Sequence, residues 1–178
     1  MLMVFYYTAA RAGEVFRLIW SDINFETQMI KLQDRKTKGG KVRQRWLPMH
    51  RDLADALAWW RDNRQCEVDN VFFQEQNDTC MGKPFAHRSH FLPNLCQRAG
   101  VKKFTFHAIR HLAASKTFLS SGVNGASILL GHYNKNTTER YLKSAGLYGP
   151  NTEIVNALRE DVVGEVSHSL FEAMKRAS

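Results

Sequence analysis

Cysteine is scarce in this chain and is not arranged for metal binding. Only Cys66, Cys80 and Cys96 occur, 14 and 16 residues apart, and no two form a C-x-x-C pair. An odd number at that spacing argues against a disulfide framework and a zinc site, and for reduced thiols in a cytoplasmic protein. Long hydrophobic runs are also missing. No stretch approaches the roughly 20 apolar residues that span a bilayer, which argues against a membrane protein. The apolar start "MLMVFYYTAA" is too short for a span and lacks the basic lead-in of a secretory signal. Repeats and low-complexity tracts are absent as well.

What is present is a core and an excess of positive charge. Hydrophobic residues make up 44% of 178 residues, enough for one domain with a real interior. The net charge is +8, and residues 151–178 hold three Lys/Arg against five Asp/Glu, so the first 150 residues carry +10. Between Lys31 and Arg51 there are eight basic residues and one acidic residue, Asp34. A solvated basic face is one reading of such a run. A partner of dense negative charge, most commonly nucleic acid, is the sharper one.

The chain opens as if inside a helix, which gives the expectation of an upstream segment. "AGEVFRLIW" continues as a short helix and "SDINFETQ" turns the chain. "MIKLQ" alternates apolar and polar, and "KTKGGKVRQRWLP" reads as a hairpin turning at Gly39-Gly40, with Pro48 ending an edge strand. Leu53, Leu57 and Trp60 have helical spacing within Arg51–Arg64. "NVFFQ" is extended and "NDTCMGKP" a loop. Helices are expected over Ala86–Ala99, bent near Pro93, and over Phe106–Ser120, stopping at Gly122. Shorter ones cover Gly125–Leu130 and Thr137–Lys143, the latter opened by Asn136 with Glu139 as a capping box. Two amphipathic helices, Thr152–Glu160 and Gly164–Arg176, form a C-terminal tail, so the division is a main domain over 1–150 and a tail over 151–178. The fold class is α+β, mostly helical with a small antiparallel sheet.

Several side chains could carry chemistry, and each has a plainer use. His107 and Arg110 in "FTFHAIRHL" share a helix face, as a core histidine and a surface arginine also would. His132 follows a helix, where it could serve only as a cap. Arg11 and Glu14 could be a surface ion pair, and Lys36 and Lys38 solvated turn lysines. Together with Tyr141 they suggest phosphodiester attack without a metal. Arginines would cradle the non-bridging oxygens, lysine would protonate the leaving ribose oxygen, and tyrosine would attack. A free phenol with a pKa of about 10 is ionised to roughly one part in a thousand at neutral pH. Lowering that pKa by two units takes about 2.7 kcal/mol, which guanidinium groups and a basic histidine could supply.

The same residues resemble the catalytic domain of the tyrosine recombinases, the phage-integrase family. The family pattern T-G-x-R-x-G-E-x-x-x-L-x-W-x-D-I meets "TAARAGEVFRLIWSDI" at residues 8–23, which matches Arg11 to the first catalytic arginine. The family's hairpin lysine meets "KGGKVRQRWLP" at Lys38. The stretch from Lys38 to Pro48 is longer than usual in the family, which keeps Lys36 as the alternative. The H-x-L-R-H box meets "HAIRH", giving His107 and Arg110, and "LGHYNKNTTERY" gives His132 and the nucleophile Tyr141. Ala9 stands where the family usually has glycine, and Ala108 where aspartate is frequent.

The resemblance implies a DNA-cleaving and rejoining enzyme acting on double-stranded DNA through a 3'-phosphotyrosyl intermediate, with no metal or organic cofactor. Lys36, Lys41, Arg43 and Arg45 are the expected DNA-binding residues of the hairpin. It further implies an N-terminal clamp domain, for which this chain has no counterpart, and self-association on DNA through the C-terminal tail. A type IB topoisomerase and a DNA-binding but inactive remnant of a mobile element are the competing readings.

Overall fold

A computed structural model describes residues 1–34, 42–64, 66–74, 82–132, 135–144 and 146. The hairpin tip with Lys36, Lys38, Lys41 and the expected Gly39-Gly40 turn, together with the whole tail 151–178, lies outside the described residues.

Helix α1 (Leu2–Thr8) buries Leu2, Val4, Phe5 and Thr8, and it stops where Ala9 takes a left-handed conformation at φ 47°. The short α2 (Ala12–Phe16) follows with Arg11 at its N-cap. A 3-10 turn, Trp20–Asp22, leads into a three-stranded antiparallel sheet in the order β1 (Ile23–Asn24), β2 (Met29–Asp34), β3 (Arg43–Pro48). Register pairs Ile30 with Leu47, Leu32 with Arg45 and Asp34 with Arg43. The twofold periodicity of strands sends Ile30, Leu32 and Leu47 into the core. Pro48 closes β3, an edge strand, as its missing N–H requires.

Helix α3 (Arg51–Asn63) is capped by His50, whose ring nitrogen accepts the Asp52 N–H, and it buries Leu53, Ala54 and Leu57. The extended segment after it is tied back by Val71 N–H to Leu18 C=O at 2.9 Å. Trp60 Nε1–H reaches Val71 C=O at 2.6 Å. Helix α4 (Phe91–Arg98) starts later than the sequence suggested and is not bent at Pro93. The proline sits in the first turn instead, where its missing N–H has no intrahelical acceptor to lose.

Helix α5 (Phe106–Leu130) opens on Thr105, whose hydroxyl accepts the Ala108 N–H at 3.2 Å. The two helices expected here meet at Gly122, whose φ 65° and ψ −169° break the helical path in a region that only glycine enters readily. Gly131 caps α5 in the left-handed conformation. Helix α6 (Lys135–Ser144) begins two residues before the expected Thr137. Its Thr138 Oγ1 meets His132 Nδ1 at 3.0 Å.

One large core cluster joins α1, α2, the sheet, α3 and α4, with Phe106 stacked on Phe5 at 4.4 Å. A second, small cluster of Ala9, Ala113, Ala114 and Leu130 carries Leu129 and Tyr141 against it. That second cluster is where α1, α5 and α6 meet. Among the described residues no helix is long and apolar enough to cross a membrane.

Candidate active site

Glu14 is the buried anchor of the site. Its carboxylate accepts the Arg11 backbone N–H at 2.6 Å. It also grips Arg45 with two bonds, 2.6 Å to Oε1 and 3.1 Å to Oε2, the forked geometry that suits a guanidinium. The expected Arg11–Glu14 surface pair is therefore replaced by a backbone cap and an interior ion pair. Arg45, one of the expected DNA-binding residues, is held by this pair with its side chain 14% exposed. It lies under Gly131, where an added Cβ would sit 2.8 Å from Arg45 Cδ. The glycine of "LGH" thus serves both a left-handed cap and a close approach. The Arg11 guanidinium turns to Asp34 at 2.7 Å and stays partly exposed.

The first turns of α5 deliver the other cation. Arg110 is buried, with one terminal nitrogen donating to Ala9 C=O and the other to Leu130 C=O at 3.0 Å. Two carbonyls from distant segments fix the plane of this guanidinium. Burial, and then the positive charge of Arg11, bring its pKa down to about 10, which still leaves it charged at neutral pH.

Tyr141 projects from α6 into a ring of imidazoles. Its ring lies flat on His111, with centroids 4.1 Å apart and planes 6° apart. His107 and His132 meet it edge-on, at 6.1 Å and 6.2 Å. Among the described residues no group of three or more His, Cys, Asp or Glu is placed to hold a metal ion.

The electrostatics correct one expectation. Burial pushes the Tyr141 phenol up to about 12, although Arg110 and Arg11 both pull it down. Burial and then Arg110, Arg11 and Arg45 push His132 down to about 4, so it is neutral and adds no positive charge. Desolvation outweighs the cations at this phenol, which is protonated at neutral pH.

Five expected residues, Arg11, His107, Arg110, His132 and Tyr141, are thus brought to one place. Lys38 and its alternative Lys36 lie outside the described residues, as does Lys41, and Arg43 is exposed on β3. Sequence reasoning missed His111. The available signal was its place as the last residue of the H-x-L-R-H box, four residues after His107 on the same helix face.

This arrangement has relatives. The chain matches the phage integrase family over residues 1–146. It is 31% identical over 144 residues to the tyrosine recombinase XerC of Xanthomonas campestris pv. campestris, covering 79% of this chain and 42% of that protein. It is 28% identical over 151 residues to XerC of Chlamydia muridarum, covering 79% and 44%. The chain spans less than half the length of these curated relatives. In fold it resembles the crystal structure of XerA recombinase, with TM-score 0.65 and 22% identity over 88% of this chain and 56% of that one. It also resembles the Tn1549 transposon integrase in complex with a circular intermediate DNA, with TM-score 0.60 and 20% identity over 79% and 52%. A family match across most of the chain, together with a fold that gathers the motif residues, establishes that this chain belongs to the phage integrase family.

Proposed function

We propose that the chain is the catalytic part of a site-specific DNA recombinase that breaks and rejoins strands through Tyr141. The observation that carries this reading is the convergence of the Tyr141 phenol with His107, His132, Arg110 and Arg11. In the cleavage step the phenol oxygen bonds to phosphorus and the bond to the 5' ribose oxygen breaks. The phenol proton passes to a neighbouring base, and the leaving oxygen takes a proton from Lys38 or Lys36. A 3'-phosphotyrosyl ester remains, which conserves the bond for rejoining when a 5'-hydroxyl attacks in reverse. Arg11 and Arg110 stabilise the added charge on the non-bridging oxygens.

Charge supports double-stranded DNA as the partner. From Thr79 to Thr138 there is no Asp or Glu at all, and eight Lys/Arg lie in that span. Of the proteins that share this fold, the Tn1549 integrase is described in complex with a circular intermediate DNA and XerH as bound to its palindromic difH substrate. In this reading residues 1–150 form the catalytic unit, acting on DNA in the cytoplasm. Residues 151–178 form a tail through which protomers associate on it. A mixture of Arg11→Ala and Tyr141→Phe proteins tests whether sites are shared between protomers.

The direct test is a nicked suicide substrate. Wild-type chain is expected to form a covalent protein–DNA adduct, and Tyr141→Phe to form none while binding DNA nearly as well. Equal adduct from both would remove Tyr141 as the nucleophile. Relaxation of supercoiled DNA that carries no target site would favour the topoisomerase alternative.

A further inference from the structure

The reading above assigns no role to His111, although its ring makes the one face-to-face contact with Tyr141 among the imidazoles around it. We propose that His111 is a positioning residue for the nucleophile: the flat side of its imidazole is the platform that sets the plane and direction of the Tyr141 phenol. The inference rests on Tyr141 being the nucleophile.

The geometry supports positioning over proton transfer. Two nearly parallel rings 4.1 Å apart keep their in-plane nitrogens and hydroxyl pointing alongside one another. A hydrogen bond from an imidazole nitrogen to the phenol would need a ring edge directed at the oxygen. Stacking fixes the rotation of the phenol ring about its own axis, and the edges of His107 and His132 close two other sides. The platform is itself held: His107, one turn earlier, meets His111 edge-on at 4.4 Å and 88°. The backbone beneath is the straight first half of α5, where Ser115 Oγ donates to His111 C=O at 2.8 Å. Burial lowers the His111 pKa, so the ring presents a neutral π face. An attack on phosphorus needs the oxygen in line, and a misplacement of about 1 Å can cost a hundredfold in rate.

Two measurements on the full chain test this. The first uses no DNA: NMR of ring-labelled tyrosine, with the Tyr141 signals assigned by Tyr141→Phe. His111→Ala should move them toward the free-tyrosine position, whereas His111→Phe should keep them ring-shifted. The second is the single-turnover rate of adduct formation at saturating DNA. His111→Ala and the volume-keeping His111→Leu should be slower by about tenfold or more with unchanged DNA affinity. His111→Phe, which restores a flat face, should recover most of the rate.

Unmoved Tyr141 signals in both the Ala and Leu variants would overturn the platform. So would a Phe variant that keeps the stack yet cleaves as slowly as Ala, since the imidazole would then act chemically. A wild-type chain that forms no adduct would instead sink the functional reading, with the NMR result still deciding whether the stack exists.

Discussion

Glu14 shows what a local sequence pattern can and cannot reveal. Three residues from Arg11, it reads as an ordinary ion-pair partner. In the fold its carboxylate serves the Arg11 backbone and a guanidinium 31 residues further on. No spacing rule reports a partner across a sheet, so the motif located the residue and missed its work. Replacing it should be expensive. Glu14→Gln leaves the largely buried Arg45 without its counter-charge and should cost about 3–5 kcal/mol, read by chemical denaturation. A loss below about 1 kcal/mol would mean that Arg45 swings out to water. The matched residues Arg11, His107, Arg110, His132 and Tyr141 were legible because they follow a family motif in identity and order. His111 closes the same H-x-L-R-H box, but no motif says that its ring stacks on Tyr141, a contact made only in the fold.

At the scale of elements, periodicity located helices α3 and α5 and both long strands, while helix starts were less legible. Pro93 suggested a bend inside a longer helix, yet a proline in a first turn reads the same way in sequence. Helix α6 starts earlier than expected, and its Thr138 bonds His132, a contact that exists only after folding. Burial of that histidine, with Arg110 beside it, makes stability depend on pH. The unfolded His132 takes up a proton near its ordinary value of 6.5, while the folded one resists until about 4. Stability is therefore full above about pH 6.5 and falls as pH drops through that window. His111, shifted in the same direction, adds to the effect. Melting temperature should fall between pH 7 and pH 5, and His132→Asn should flatten that fall; an unchanged slope would refute the assignment. Gly131 is the other sensitive joint. Gly131→Ala should cost at least about 1–2 kcal/mol from its φ of 66° alone, with more from the contact at Arg45. Thermal denaturation reads it directly. Gly122→Ala should cost a similar strain term without the crowding, because no neighbour lies within 4 Å of its added Cβ.

Over the whole molecule, charge is sorted along the chain. Eleven of the 17 acidic residues fall before Thr79, and none lies between Thr79 and Thr138. Helices α4 and α5 and the connection between them therefore carry no acidic residue. Binding should weaken with salt by about 0.9 log units per log unit for each phosphate contacted, so several contacts give a steep slope in a titration. A slope near zero would exclude a phosphate-tracking surface. This asymmetry was visible in the sequence as a net positive charge, but which elements share a face was not.

Arg110 binds the carbonyl of Ala9, 101 residues before it, and that of Leu130, 20 residues after it. During synthesis the ribosome therefore releases Ala9 long before Arg110 exists to bind it, and the Tyr141 phenol emerges later still. The guanidinium plane set by those two carbonyls can form only once Leu130 has joined the chain. Assembly of this cluster is therefore a late event in the order of the polypeptide, set by connectivity alone.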